Sequence, residues 1–325
     1  MGLLICKRAQ DWAGIPRERG GLMGIATTEY EAVVERSEHL AWKLNDVVPP
    51  DASLDFTKPF MPAAMFQAGS LGFLDADAKR KLNQIYGNSY RHLFHFVETY
   101  IVELAMRLAT ASRGGDADSV RAHLRFAEEE VKHQQMFLRF GELFDRGFGT
   151  PCDLVDGAGV VAQFILSRSS MGVLLVTLHL ELVTQAHFID SMRDSAEIDP
   201  LFRSMFKHHW LEEAQHTKLD AIELIRMRRA ASPAEVQEAV DDYFAIAGAF
   251  AGLLAAQAKH DVTSFERATK PLGATERAEV EEAQRRSYHR SFLWYGVTNK
   301  QFLGVLSEHF PAAMAGASEA AAAFA

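Results

Sequence analysis

The feature that most constrains this chain is a pair of Glu-x-x-His motifs, each preceded at the same distance by a single glutamate. In both copies the single glutamate lies 32 residues before the glutamate of the motif, and the second copy follows the first after 83 residues. Four carboxylates and two imidazoles from four helices form the ligand set of a site for two metal ions. In chain order the six residues are Glu98, Glu130, His133, Glu181, Glu213 and His216.

The residues around these motifs predict that the carboxylates face a protein interior. Phe94 and Ile101 share a helical face with Glu98, and Phe126 and Phe137 share one with Glu130. A carboxylate on a face that packs into the core is costly to bury unless a positive charge meets it. Since no Lys or Arg recurs on these faces, we expect metal ions to supply that charge. Carboxylate and imidazole donors suit iron or manganese, although donor type does not separate the two metals.

Three further residues are candidates for the same site. His209 lies one turn before Glu213 and seven residues before His216, so all three point to one side of a helix. It is predicted to be a third imidazole ligand; the alternative is an ordinary core histidine. His95 is a weaker candidate of the same kind. Asp220, one turn after His216, is a candidate acceptor for the second N–H of that ring.

Helical periodicity and helix-breaking residues predict an all-α fold. The short connections within each Glu/Glu-x-x-His triad predict antiparallel helix pairs, and the 48 residues from His133 to Glu181 predict one long crossover between the pairs. This topology resembles the ferritin-like four-helix bundle with additional flanking helices. Helices are expected at about 27–48, where Pro49 and Pro50 end the first, and at 75–112, 116–146, 167–195, 199–230, 232–260 and 275–309, with a loose connection at 150–166.

The chain is expected to form a single ferritin-like domain between two irregular ends. Residues 1–25 are rich in glycine and predict an irregular N-terminal arm, whereas 26–310 carry the helical pattern. Residues 311–325 are mostly alanine and are expected to form a flexible tail.

Composition argues against several classes of partner and compartment. A net charge of −9 without a basic block argues against nucleic acid or an anionic membrane surface. Cys6 and Cys152 form no CxxC motif, and the N-terminus lacks the pattern of a signal peptide, so a cytoplasmic protein is expected. The most apolar stretch, 171–189, includes three ionisable side chains, which argues against a membrane span.

Over about residues 85–225 the six-residue constellation resembles the ferritin-like di-iron carboxylate superfamily. With His209 added, it is most similar to the arylamine (p-aminobenzoate-type) N-oxygenase family, which carries a histidine one turn before the last Glu-x-x-His. The resemblance implies two iron ions, O2 as co-substrate, and N-oxygenation of an amine on a small, aromatic molecule. It implies as metal ligands Glu98, Glu130, His133, Glu181, His209, Glu213 and His216.

Other functions remain open at this point. A di-iron hydroxylase, desaturase or oxidase would act on C–H bonds of a hydrophobic substrate, and a ferritin-like protein could bind metal without catalysis. A radical-forming subunit would need a tyrosine near the metals, and Tyr100 points away from the face of Glu98. Mn/Fe or Mn/Mn could replace the two irons. We further expect an external electron donor of the ferredoxin or flavin type, and a homodimer.

Overall fold

The computed structural model describes residues 25–113 and 115–324, with side chains from residue 29 onward, and this part of the chain contains helices and no strand. The all-α fold is therefore confirmed. The predicted N-terminal arm lies almost wholly outside the described residues. The α-helices are α1 (Ile25–Leu40), α2 (Leu44–Val47), α3 (Ala76–Ala111), α4 (Ala117–Phe148), α5 (Ala158–Leu166), α6 (Ser170–His187), α7 (Pro200–Ala230), α8 (Pro233–Ala268), α9 (Ala274–Tyr288), α10 (Tyr295–Val297), α11 (Lys300–His309) and α12 (Ala313–Ala323).

Helices α3 and α4 form the first predicted pair, and they pack along each other as an antiparallel hairpin. The carboxylate of Asp75 accepts a hydrogen bond from the backbone N–H of Ala78 and so caps α3. Asp116 caps α4 through the N–H of Asp118. Gly149 ends α4 with φ of 86°, a left-handed conformation that glycine adopts without steric cost.

Helices α6 and α7 form the second pair. Asp199 caps α7 through the N–H of Phe202, with Pro200 in the first turn where its missing N–H costs nothing. Helix α6 continues into a π-helical turn, Phe188–Met192, which joins it to the connection before α7. The two hairpins are thus each built from a single-glutamate helix and a Glu-x-x-His helix, as predicted.

The remaining helices close the sides of this bundle. Helix α1 packs on α4 and α7, whereas α8 packs on α3 and α6, which do not pack closely on each other. The connection at 150–166 was expected to be loose throughout. Its second half instead forms α5, which packs on α3, because the side chains of Ala162, Ile165 and Leu166 are buried.

The C-terminal region differs from the expected single helix and flexible tail. The helix expected at 275–309 is α9, a π-helical turn (His289–Trp294) and α10, followed by a break at which Asn299 caps α11. The alanine-rich tail was expected to be flexible, but it forms α12, with Ala313 and Ala317 buried. Small side chains allow a close approach here: a Cβ on Gly316 would lie 2.5 Å from the ring of Phe244.

Two helical segments have the length and composition of a membrane span, Ser170–Met192 and Pro233–Ala268. Within the most apolar window, 83% of the first is buried in the bundle, as expected for a core helix, but only 33% of the second is. Helix α8 therefore carries an exposed apolar surface.

Candidate metal centre

The structure brings six of the seven predicted ligands together in the interior of the bundle. They form two overlapping groups, within each of which the potential ligand atoms lie within 4.8 Å of one another. His133 and Glu213 belong to both groups, and all members are buried. The first group consists of Glu98, His133, His209 and Glu213, and the second of Glu130, His133, Glu213 and His216.

Three helices supply these six side chains, and the spacing along each helix explains why they converge. On α4, Glu130 and His133 lie at positions i and i+3, and so share one face. On α7, His209, Glu213 and His216 follow at intervals of four and three residues and also share one face. The face of α3 that carries Glu98 meets them across the hairpin.

Glu213 lies at the centre of the cluster. Its Oε1 is 3.4 Å from Nδ1 of His133 and contacts Nε2 of His209, and its Oε2 is 3.0 Å from Nδ1 of His216. The outer carboxylates each approach one ring: Glu98 Oε1 lies 3.2 Å from His209 Nε2, and Glu130 Oε1 lies 2.9 Å from His216 Nδ1. A carboxylate that faces both groups through its two oxygens is suited to bridge two cations.

Several polar atoms of the cluster lack hydrogen bonds although they are buried. Among the described residues, no hydrogen-bond partner is found for either oxygen of Glu98 or Glu130, for Nδ1 of His133, or for either nitrogen of His209. Buried polar groups are nearly always hydrogen-bonded, so such a concentration of orphaned donor atoms needs a ligand. The arrangement fits cations, because they alone satisfy several carboxylate oxygens and imidazole lone pairs that face a common space.

The pKa shifts of the cluster show that it lacks positive charge. Burial, together with the neighbouring carboxylates Glu130 and Glu213, raises the pKa of Glu98 well above its ordinary value. Burial and Glu213 raise the pKa of Glu130 to about 8. Burial opposes protonation of His216, but the carboxylates around it outweigh burial and raise its pKa well above the ordinary value.

Two glutamates that the sequence analysis did not single out hold the histidine rings. The Nε2–H of His133 donates to Glu212 on α7 at 2.9 Å, and the Nε2–H of His216 donates to Glu129 on α4 at 2.9 Å. Each acceptor directly precedes the glutamate of a motif, so the repeated signal was Glu-Glu-x-x-His. Asp220 was predicted to accept the second N–H of His216, and this prediction was wrong. The two oxygens of Asp220 have no hydrogen-bond partner among the described residues.

The two supporting glutamates differ in their own surroundings. Glu129 also accepts hydrogen bonds from Ser37 on α1 (2.5 Å) and Gln215 (2.8 Å). Burial alone would raise the pKa of Glu129, but these hydrogen bonds and His216 lower it to about 2. Glu212 instead pairs with Lys132 at 2.5 Å, yet burial and the charge of Glu129 raise its pKa to about 7.

An aromatic side chain covers the cluster on the side of α1 and α2. Trp42 stacks on His133 with ring centroids 6.0 Å apart, and its indole N–H donates to the backbone carbonyl of His208 at 3.1 Å. The ammonium of Lys132 lies 4.3 Å from the centroid of the same indole. Trp42 therefore fixes both the ring of His133 and the cation that pairs with Glu212, and no motif in the sequence marked it.

Glu181, the seventh predicted ligand, lies outside both groups, although it is 3% exposed on α6. His95 also lies outside both groups. Tyr100 is buried on α3 and its hydroxyl lies 3.3 Å from that of Thr177, so it bonds away from the cluster. His187 bonds to Tyr90 in the core, in keeping with a structural role.

Comparison with known proteins bears on the identity of the site. The model of a family described as P-aminobenzoate N-oxygenase AurF matches residues 79–293, about two thirds of the chain. The match begins in α3 and ends in the π-helical turn after α9, so it includes all seven predicted ligands. No curated protein matches the chain.

Proposed function

We propose a function for this chain from the premise that it belongs to the P-aminobenzoate N-oxygenase AurF family, whose members are di-iron oxygenases. The proposed reaction is the O2-dependent oxygenation of the nitrogen of a small amine. The observation that carries the proposal is the pair of overlapping Glu/His groups sharing His133 and Glu213. Two iron ions are the proposed occupants, held by these groups together with Glu181.

The chemistry divides between the metals and the chain. When bound, two irons supply the electrons and coordination positions at which O2 can be reduced. The chain's contribution is to hold three imidazoles and the three carboxylates of Glu98, Glu130 and Glu213 in place and to exclude water. Glu129 and Glu212 keep Nε2 of His216 and His133 protonated, which leaves Nδ1 of both rings free to face the cluster.

The reaction consumes electrons that another molecule must replace after each turnover. Oxygenation of a primary amine to a hydroxylamine consumes one O2, two electrons and two protons and releases one water. The two cysteines of the chain are fewer than the four that a ferredoxin-type iron–sulfur cluster binds. We therefore propose an external electron donor of the ferredoxin or flavin type. A cytoplasmic homodimer remains a proposal from the sequence.

Anaerobic reconstitution with Fe(II), followed by reduction and exposure to O2 with an arylamine, tests the proposal. We expect the mass of the amine to rise by one oxygen atom, and we expect 18O2 to label the product. Glu213→Gln should abolish this oxidation, because Glu213 belongs to both groups. Failure of the iron-loaded protein to oxidise any arylamine, with the metals demonstrably bound, contradicts N-oxygenation.

The alternative is oxidation of C–H bonds on a hydrophobic substrate. One observation favours it: a cavity between α3, α5, α6 and α8 is lined almost wholly by apolar side chains, with nothing specific to an amino group among the described lining residues. The same reconstitution with alkylbenzenes separates the two functions. Hydroxylated alkylbenzene without oxidised arylamine favours this alternative.

A further inference from the structure

We propose that the substrate of this chain is an uncharged and mostly apolar molecule, an arylamine without a carboxylate, and that it binds in a cavity between α3, α5, α6 and α8. The inference rests on the proposed function and specifies its substrate class. It sets this chain apart from the anionic amine for which its family is named.

The cavity is large enough for a small aromatic substrate. Its volume is about 270 Å3, whereas an apolar cavity of roughly 150 Å3 suffices to hold benzene. An aromatic ring with a short substituent therefore fits. Val97 and Leu180 line it and directly precede Glu98 and Glu181 in the sequence, so the cavity lies against the same two helices, α3 and α6, that carry the single glutamates.

The described lining residues are apolar or neutral polar side chains, and one of them is a histidine. The few polar groups in the wall are already bonded. The hydroxyl of Tyr100 lies 3.3 Å from that of Thr177. His179 bonds through Nδ1 to the hydroxyl of Tyr243 at 2.9 Å and through Nε2 to the carbonyl of Phe292 at 2.8 Å. Burial lowers the pKa of His179 to about 4, so its ring is neutral near pH 7.

A carboxylate would therefore enter the cavity without a partner. Among the described residues that line the cavity, none is Lys or Arg. Arg168 stacks on the lining residue Phe164 at 4.6 Å, but its guanidinium pairs with Asp242 at 3.4 Å and is not part of the wall. Since an unpaired buried charge is costly, the cavity selects against carboxylates and favours a neutral ring.

The entrance to the cavity is apolar as well. Val160 on α5 lines the cavity and is 73% exposed, and the half-buried Leu253 lines it from the exposed apolar surface of α8. A molecule that enters between these two helices meets no charged lining side chain. The described lining is thus free of charged side chains from Val160 on α5 to Val97 on α3.

A matched pair of ligands tests the inference. Methyl 4-aminobenzoate and 4-aminobenzoate share the ring and the amino group and differ in charge. Isothermal calorimetry on the full-length, iron-loaded protein without reductant measures binding without turnover. We expect the ester to bind at least about tenfold more tightly than the acid, because the acid must be desolvated without a counter-ion.

Two variants locate the binding site and reverse its preference. Ala247→Phe, at a half-buried lining position, should fill the cavity and weaken binding of the ester at least about tenfold. Leu253→Arg should bring a guanidinium to the wall and improve binding of the acid relative to the ester, since a half-buried arginine can keep its charge near water. Leu138→Arg, at an exposed leucine of α4 that does not line the cavity, is the control and should change neither affinity.

Tighter binding of the acid than of the ester, no binding of the ester, or ester binding that survives Ala247→Phe overturns the inference. Leu253→Arg that folds but leaves the preference unchanged also contradicts it. Binding and turnover remain separable: ester that binds but is not oxidised contradicts only the proposed function. Oxidation of the acid without binding of the ester contradicts only the inferred substrate class.

Discussion

Each histidine of the two motifs is held by a glutamate from the opposite hairpin. His133 on α4 donates to Glu212 on α7, and His216 on α7 donates to Glu129 on α4. The two bonds are reciprocal, so they fix the two rings relative to each other as well as joining the helices. A carboxylate that accepts the second N–H of an imidazole makes the ring more basic and orients it for metal binding.

Loss of the Glu129 carboxylate, which accepts the N–H of His216, should therefore weaken metal binding without unfolding the protein. We expect Glu129→Gln to lower the affinity for Fe(II) by about 10–100-fold, because an amide holds His216 less strongly than a carboxylate does. Competition with a chelator measures the affinity, and circular dichroism checks the fold. Glu128→Gln is the matched control, since Glu128 is exposed and adjacent. Equal affinities of the two variants would rule out this role for Glu129.

His209 offers a second test at the scale of a single side chain. Its ring is 1% exposed and contacts carboxylates from both α3 and α7, so it is placed to bind one of two metals. His209→Ala should reduce the iron bound per chain from two towards one, whereas His208→Ala, at the half-buried neighbour, should retain both. Metal analysis after gel filtration gives the count. If His209→Ala retains two irons, His209 is an ordinary core histidine and not a metal ligand.

At the scale of helices, α6 and the segment after α9 meet with almost no space between them. A Cβ on Gly296 would lie 1.9 Å from Nε2 of His179, which is buried and bonded at both nitrogens. Gly296→Ala should therefore destabilise the protein by about 1–3 kcal/mol. Gly304→Ala, where a Cβ meets no atom within 4 Å, should instead stabilise α11 by about 0.5–1 kcal/mol. Urea unfolding of both variants checks the opposite signs.

A buried carboxylate joins three helices away from the metal centre. Asp261 on α8 accepts hydrogen bonds from Ser89 on α3 (2.7 Å), from Gln284 (2.8 Å) and Tyr288 (2.5 Å) on α9, and from Gln257 (2.8 Å). Burial raises the pKa of Asp261 to about 6 in spite of these bonds. A carboxyl whose pKa is raised on folding stabilises the folded state below its unfolded value and loses that stabilisation as pH rises to the folded value.

Asp261→Asn removes this titration while preserving the shape of the side chain. Between pH 5 and pH 7 the free energy of unfolding of the unmodified protein should therefore fall by about 1 kcal/mol relative to that of the variant. The measurement is urea unfolding at several pH values, with the two proteins compared at each. A constant difference across this range would contradict a raised pKa at Asp261.

The elements that the sequence predicted correctly are those whose signals are local. Caps at Asp75, Asp116 and Asp199 and the repeated motif spacing were enough to predict the helices of the bundle and their pairing. The helices α5 and α12 were not predicted, because they are short and apolar and their burial depends on distant partners. At the site, the reciprocal hydrogen bonds needed the relative position of α4 and α7, which no spacing along one helix contains.

For the whole molecule, the cluster makes the stability of the bundle dependent on its cations. Three helices bring Glu98, Glu130 and Glu213 together, and burial, reinforced by neighbouring carboxylates, raises the pKa of each. In the metal-free protein these carboxyls must either hold protons or repel one another. Cations that bind only the folded arrangement add a stabilisation of about 2.7 kcal/mol at a free concentration of one hundred times Kd.

The stability gained from metal should therefore increase with pH. The folded pKa of Glu130 is about 8, above that of an exposed glutamate, so its protonated form stabilises the metal-free protein at low pH and this contribution is lost as pH rises towards 8. Bound cations remove the need for those protons. We expect the difference in Tm between iron-loaded and metal-free protein, measured anaerobically by calorimetry, to be larger at pH 8 than at pH 6. Glu130→Gln should reduce that pH dependence, because an amide does not titrate, whereas Glu128→Gln should leave it unchanged. A Tm difference that is the same at both pH values would mean that these buried carboxyls do not couple cation binding to folding.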